Sequence, residues 1–310
     1  MSSPPIQHNF ARLDVQPETA IRSPDHWTTG TQYQYSYHVP SPVVHVEPLP
    51  CKTHILVCIQ STPLAANWNK AAFNDIQLWI KATRQTLRDP RNRFYLLTDC
   101  IGVRMPADVG ASVVMLHPTR LNVEQVIRFA TSTLRAMDEC TLWFSCTAQE
   151  NVQAVRLVDP LDIIPGPEIY SWLTENTNPG ALIRVGLDFC YSGRFLGLPW
   201  YFNMEGELKA ELSLPRIIGW TPRIVCISAC RSHELAHHVA KNGNPELQWG
   251  GLLWYLVWAQ LEGVPYIDRI REVEAVLRPR LSDLVNSEWT QSPQVSMSHY
   301  EPDFAFRNWF

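Results

Sequence analysis

The stretch that decides the fold is Ala181-Leu-Ile-Arg-Val-Gly-Leu-Asp188-Phe-Cys190-Tyr-Ser-Gly193-Arg194. Its apolar run, from Leu182 to Leu187, predicts a buried strand that stops at the acidic residue Asp188. Cys190 follows in a small polar turn that Gly193 closes. Because open α/β sheets place reactive groups in loops at the carboxyl ends of their strands, Cys190 is a candidate functional thiol. The alternative is a buried structural cysteine, since free cysteines are among the most buried residues.

Similar apolar runs recur along the chain and alternate with segments of helical periodicity. The predicted strands are 54–59, 93–98, 112–116, 140–145, 182–187, 224–228 and 294–298. The predicted helices are 67–87, 118–137 with Thr119 as the N-cap, 167–173, 251–261 and 264–281. Strands that alternate with helices predict one α/β domain, in which a mostly parallel sheet is flanked by helices on both faces.

Residues 1–50 differ from the rest of the chain in composition. They are rich in proline and contain the alternating segment Tyr33-Gln-Tyr-Ser-Tyr37. Prolines disfavour regular structure, whereas alternating tyrosines suit an edge strand. We therefore expect residues 1–50 to form an N-terminal extension, either partly docked or disordered, and residues 51–310 to form the domain.

Composition narrows the class of protein. The net charge of -4 gives no reason to expect a nucleic acid or a membrane surface as a partner. No apolar stretch is long enough to span a bilayer, and the first residues lack the features of a signal peptide. The eight cysteines contain no CxxC pair, which favours reduced thiols and a cytoplasmic protein.

Three segments after predicted strands carry chemically distinctive residues: Trp143-Phe-Ser-Cys-Thr-Ala148, Asp188-Phe-Cys-Tyr-Ser-Gly193 and Ile227-Ser-Ala-Cys-Arg-Ser-His-Glu234. Three more accompany them in order: Pro118-Thr-Arg-Leu-Asn122 with Asp138, Gly250-Gly251, and Gln291-Ser-Pro-Gln-Val-Ser296. Together, over roughly residues 52–310, these segments resemble the caspase and metacaspase superfamily of cysteine peptidases. The resemblance implies a caspase-like α/β/α sandwich.

The resemblance also implies roles for individual residues. The segment with Cys190 is similar to the family's nucleophile motif Asp-x-Cys-His-Ser-Gly, so Cys190 takes the nucleophile position and Gly193 lies in the oxyanion loop. Trp143-Phe-Ser-Cys-Thr-Ala148 stands in the place of Tyr-Ser-Gly-His-Gly. Thr147 therefore replaces the catalytic histidine, and the backbone N–H of Ala148 is a candidate oxyanion donor.

Thr147 removes the base that a cysteine peptidase requires, because a hydroxyl cannot accept a proton from a thiol near neutral pH. None of the ten histidines lies between Pro118 and Ser232. His233, His237 and His238 follow a strand that we expect beside the Cys190 strand, so a relocated base is one hypothesis. Solvent-exposed helix histidines are the other interpretation.

The substrate pocket departs from the family as well. Metacaspases line this pocket with acids, and by the resemblance Asp188 keeps one of them. Ser232 and His238 stand where other acids would be expected, and Glu234 replaces the usual glutamine. The candidate substrate-binding residues are Asp188, Ser232, His233 and Glu234. No specificity is predicted from this set. Asp159 and Asp162 are too few to hold calcium, so we expect no metal and no cofactor.

Two functional hypotheses follow. The first is a caspase-like pseudopeptidase that binds or regulates a protein or peptide partner, because the histidine of the Cys/His dyad is absent. The second is an active cysteine-dependent endopeptidase, or another thiol hydrolase, that uses Cys190 with a relocated base.

Overall fold

The fold was obtained as a computed structural model that describes residues 49–60, 70–149, 153–159, 161–202, 207–210, 221–236 and 292–300. Within these residues, the centre of the fold is a nine-stranded sheet in the order β10 (Leu208–Ala210), β9 (Trp200–Phe202), β12 (Gln294–Met297), β11, β8, β4, β1, β2 and β3. The parallel strands of this sheet are β1 (Lys52–Cys58), β2 (Arg93–Thr98), β3 (Ser112–Leu116), β4 (Glu139–Ser145), β8 (Leu182–Asp188) and β11 (Arg223–Ser228).

The strands are buried on both faces, as the unbroken apolar runs predict. On one face, Leu56 and Trp143 pack with Trp79 of helix α1 (Lys70–Ala82) and with Leu87 of helix α2 (Arg84–Arg88). The other face packs against helices α3 (Arg120–Ser132) and α4 (Gly166–Thr174). We call these two sides the α1 face and the α3 face. The predicted α/β fold, with a mostly parallel sheet between helices, is therefore confirmed.

Two helices differ from their predicted bounds. The segment predicted as one helix over 67–87 is divided at Thr83, whose hydroxyl donates to the carbonyl of Trp79 at 2.8 Å and competes with the regular helical bonds. Helix α3 begins as predicted, with the Thr119 hydroxyl accepting the N–H of Asn122 at 3.2 Å. It ends at Ser132 rather than near Met137, which has a left-handed φ of 73°.

An antiparallel extension enlarges the sheet beyond its parallel part. Strand β12 (Gln294–Met297) pairs with β11 on one side and with β9 (Trp200–Phe202) on the other, and β10 (Leu208–Ala210) pairs with β9. A separate three-stranded sheet contains β5 (Thr147–Gln149), β6 (Ala154–Arg156) and β7 (Ile163–Pro165). The sequence predicted β12, but not the other strands named here, because segments of three residues show no periodicity.

The predicted extension 1–50 lies outside the described residues except for 49 and 50, so the domain boundary stays a prediction. The helices predicted over 251–261 and 264–281 also lie outside the described residues. Within the part of the chain that the structure describes, no helix is both long and apolar enough to cross a membrane.

Candidate active site

The carboxyl ends of four parallel strands meet at one edge of the sheet. Cys58 of β1 lies opposite Ser145 of β4, and Ser145 lies opposite Asp188 of β8. On the other side of β8, Ser228 of β11 is in register with Leu187. Because all four strands end here, the loops that follow them are brought together, and the site predicted from the sequence falls at this edge.

Cys190 lies in the turn that follows β8, which we call the Cys190 turn and define as residues 189–194. Tyr191 and Arg194 both have a left-handed φ of 60°, so the chain reverses sharply here. The Cys190 thiol is half-buried, and its Sγ donates to the carbonyl of Ala236 at 3.6 Å. Burial raises the pKa of this thiol, and the negative charge of Asp188 raises it further. Within the described residues, burial and the charge of Asp188 therefore favour the neutral form of the Cys190 thiol.

In the described part of the chain, no cation opposes this rise in the Cys190 pKa. Among the residues that the structure describes, the influences on the Cys190 pKa include no histidine, lysine or arginine. Of the described histidines, His54 is buried within β1, His117 and His233 are exposed, and His299 lies beside Ser298. His237 and His238 lie outside the described residues, so the hypothesis of a relocated base remains a prediction.

Thr147 and Ala148 lie in strand β5, where they face Arg156 and Val155 of β6. The region predicted to differ from the family's turn is therefore a short strand in this chain. The preceding residue, Cys146, is buried, and burial raises its pKa, with the charge of Asp188 adding to the effect. A buried thiol at this position supplies no base for Cys190.

Gly193 packs directly against the backbone after β11. A Cβ atom at this position would lie 2.5 Å from the Ser232 nitrogen and 2.7 Å from the Cα of Arg231. Only glycine fits there without displacing the main chain, which gives Gly193 a packing role in addition to the oxyanion loop that the resemblance implies.

Asp188 is fully buried, and its carboxyl is near a second acid that the sequence analysis missed. This acid is Asp75 of α1, whose Oδ2 accepts the Ser145 hydroxyl at 2.5 Å. Burial raises the pKa of Asp75 well above its usual value, and the charge of Asp188 raises it further. Burial and the neighbouring acid therefore favour the protonated form of Asp75. Its position on the buried stripe of α1, with Ala72, Ile76 and Trp79, is the signal that could have revealed it.

The three residues predicted to line the substrate pocket have different environments. Ser232 is half-buried and His233 is exposed, so both are accessible from the loop surface. Glu234 is buried, and its Oε2 accepts the N–H groups of Arg231 at 3.0 Å and of Ser292 at 2.8 Å. In this arrangement, the Glu234 carboxylate bonds to the protein's own main chain.

The described residues at this edge of the sheet do not form a metal site. Within the described ranges, no group of three or more histidine, cysteine, aspartate or glutamate side chains is arranged to hold a metal ion. Asp159 instead accepts the N–H of Leu161 at 2.9 Å, which is a local turn interaction.

The described residues form a mixed α/β fold with a large, mostly parallel sheet that is flanked by helices. Among solved structures, the chain is similar to protein GSU0716 from Geobacter sulfurreducens, with a TM-score of 0.50 and 16% identity over 83% of this chain and 97% of that one. It is also similar to pro-sf-caspase-1, with a TM-score of 0.45 and 10% identity over 80% and 91% of the two chains. Both likenesses concern the fold alone. No family model and no curated protein matches the sequence.

Proposed function

We propose that this protein is a caspase-like pseudopeptidase, which binds or regulates a protein or peptide partner through the surface around Cys190. The observation that carries the proposal is the state of the Cys190 thiol. Its pKa is raised by burial and by Asp188, and no described base or cation lowers it. A cysteine peptidase needs the thiolate as its nucleophile, so a thiol held neutral favours binding over hydrolysis.

The replacement of the family's histidine by Thr147 supports the same conclusion. A threonine hydroxyl neither takes the proton from Cys190 nor returns one to a leaving amine. The Cys190 turn is held by the loop after β11, since the Tyr191 N–H donates to the Glu234 carbonyl at 2.9 Å. A well-formed turn without a base suits recognition of a segment that is held and not cleaved.

Thiol labelling tests the proposal directly. All eight cysteines lie in described residues, and only Cys51 and Cys190 are half-buried while the others are buried. In a Cys51→Ser background, Cys190 is therefore the accessible thiol, and Cys190→Ala in the same background reports the residual labelling. We expect the rate of iodoacetamide labelling to follow an apparent pKa above the value of about 8.5 for a free cysteine.

An apparent pKa well below that value would overturn the proposal, as would turnover of a mixed peptide library that disappears in Cys190→Ala. In either case the relocated-base hypothesis becomes the better one. His237→Ala and His238→Ala then identify the base, because only the variant that lacks it slows labelling at neutral pH.

A Thr147→His variant tests the position assigned to the missing base. An imidazole within reach of Cys190 stabilises the thiolate, so we expect a lower apparent pKa and faster labelling at pH 7 than in the Cys51→Ser background. Thr147→Asn, which is polar but not basic, is the matched control. Equal rates in the two variants would show that residue 147 does not face the thiol. This result would not affect the pKa of Cys190 measured in the Cys51→Ser background.

A further inference from the structure

The side chain of Glu234 forms hydrogen bonds with two separate segments of the main chain near the site. Its carboxylate Oε2 accepts two N–H groups, from Arg231 at 3.0 Å and from Ser292 at 2.8 Å. Ser292 is separated from the start of strand β12 by one residue, Pro293. One buried oxygen therefore joins the loop after β11 to the segment that leads into β12.

The backbone of Glu234 also bonds to the Cys190 turn. Its carbonyl oxygen accepts the N–H of Tyr191 at 2.9 Å and the thiol of Cys230 at 3.2 Å. The Cys230 thiol in turn lies 3.5 Å from the carbonyl of Phe189, on the other side of Cys190. Residues 230–236, which we call the clamp loop, thus hold the main chain immediately before and after the candidate nucleophile.

The clamp loop contacts the Cys190 side chain as well. Its last described residue, Ala236, provides the carbonyl that accepts the Cys190 thiol at 3.6 Å. Gly193 packs against the backbone of Arg231 and Ser232 at the opposite end of the turn. The position of the thiol therefore depends on the shape of the clamp loop, and that shape depends on the carboxylate that fixes Arg231.

The chemistry of the side chain explains why this bond is strong. A carboxylate is an acceptor only, and bonds from main-chain N–H groups to an ionised oxygen are stronger than those to a neutral one. Loss of the carboxylate leaves the N–H groups of Arg231 and Ser292 without their acceptor, which destabilises the loop that they hold. A side chain used in this way is not available to contact a substrate.

We propose that Glu234 is a positioning residue for the Cys190 turn. By accepting the N–H groups of Arg231 and Ser292, its side chain couples this turn to the segment that leads into β12. This role does not depend on whether Cys190 is catalytic, so it holds for a pseudopeptidase and for an active enzyme alike.

The test compares Glu234→Ala with Glu234→Gln in the full chain and the Cys51→Ser background. Release of the turn exposes Cys190, so Glu234→Ala should speed iodoacetamide labelling of Cys190 by about tenfold or more, well below the unfolding temperature. Glutamine keeps one oxygen that accepts both N–H groups, so Glu234→Gln should stay within about threefold of the parent rate. Hydrogen exchange of peptides that cover residues 189–194 should rise in the alanine variant alone.

Ser298→Ala is the matched control, because it disturbs the far end of β12 without touching the clamp loop. The Ser298 hydroxyl accepts the N–H of Ile224 at 2.8 Å, so this variant should lose stability but label at the parent rate. Equal labelling in Glu234→Ala, Ser298→Ala and the parent would overturn the proposal, since Glu234 would then have only a general structural role. If Glu234→Ala does not fold, a Glu234→Gln variant that labels as fast as a peptide cysteine would also overturn it.

Discussion

The imidazole of His54 lies inside the sheet on the α1 face, where it is 1% exposed. Its ring packs edge-on against Trp79 with centroids 5.9 Å apart. Within the described part of the chain, neither ring nitrogen has a hydrogen-bond partner. Burial, together with the positive charges of Lys52 and Arg184, lowers the pKa of His54 to about 3. This histidine is therefore a source of instability and not a candidate base.

We predict that His54→Leu stabilises the protein, increasingly so at acidic pH. The folded chain keeps His54 neutral down to about pH 3, whereas the unfolded chain binds a proton below about pH 6.5. Stability of the parent therefore falls as the pH drops between these values, by at most about 1.4 kcal/mol per pH unit, and the variant lacks this loss. Urea unfolding at pH 7, 6 and 5 measures the difference.

His117→Leu is the control for this prediction, because His117 is exposed. Its stability should follow the parent curve at every pH. Parallel curves for His54→Leu and the parent would mean that His54 is solvated or paired in solution, and the description of the α1 face would need revision.

We predict the opposite dependence on pH for Asp75→Asn. Folding keeps Asp75 protonated, whereas the unfolded carboxyl ionises near pH 3.9, so the parent loses stability as the pH rises above about 4. The amide oxygen of asparagine still accepts the Ser145 hydroxyl, and it carries no charge beside Asp188. The stability of the variant relative to the parent should therefore increase between pH 4 and pH 7.

Asp108→Asn provides a control of opposite sign. Asp108 is exposed, and its hydrogen bonds with Arg88 and Arg84 lower its pKa. Any stability that it contributes is present at neutral pH and is lost on acidification. Thermal unfolding of both variants across pH 4 to 7 distinguishes the two acids. A constant difference between Asp75→Asn and the parent would show that Asp75 ionises in the folded protein.

At the scale of elements, the turn after β8 depends on how closely it approaches the next strand. We predict that Gly193→Ala destabilises the protein by about 1–3 kcal/mol. The new Cβ would clash with backbone atoms of Arg231 and Ser232, which cannot move without displacing the main chain of their loop. The same displacement should speed labelling of Cys190, since the turn is pushed away from the clamp loop. Chemical unfolding and thiol labelling are measured on the same sample.

Gly102→Ala is the control, because the two glycines differ in their surroundings. Gly102 has a left-handed φ of 84°, and no atom lies within 4 Å of a Cβ built there. Its replacement should cost stability through backbone strain but leave Cys190 labelling unchanged. Unchanged labelling in Gly193→Ala as well would argue against close contact between the turn and the clamp loop.

The elements also show which parts of the fold can be read from sequence. Strands such as β8 and β11 were predictable because continuous apolar runs can be buried only between two layers of helices. The break at Thr83 was not predictable, because it depends on a hydrogen bond from the Thr83 hydroxyl to the carbonyl of Trp79 in the preceding helical turn. Strands β5, β6 and β7 were missed because their pairing is set by tertiary contacts and not by a local pattern.

The candidate site divides in the same way. Cys190 was found because the end of a strand can be recognised locally. The influence of Asp188 on Asp75 depends on the packing of helix α1 against the sheet, and the bonds of Glu234 depend on β12 lying beside β11. Interactions of this kind join residues that are remote in the sequence, so they become visible only when the fold is known.

At the scale of the molecule, β12 joins the parallel part of the sheet to its antiparallel extension. It pairs with β11 through Val225 to Ser228 and with β9 through Tyr201 and Trp200. On the α1 face, one hydrophobic cluster contains both Met297 of β12 and Leu96 of β2, which are separated by several strands. Continuous hydrogen bonding and a shared core predict that the whole sheet unfolds as one cooperative unit.

Two cavity-forming variants at distant places in this sheet test that cooperativity. Leu96 and Met297 are buried to 1% exposure or less, so we expect Leu96→Ala and Met297→Ala each to lower the free energy of unfolding by about 2–5 kcal/mol. If the sheet is one unit, both variants shift a single urea transition, recorded by tryptophan fluorescence and by circular dichroism, without changing its slope. Two separated transitions in Met297→Ala, with the parallel strands melting at the parent midpoint, would show instead that the antiparallel extension folds independently of the site.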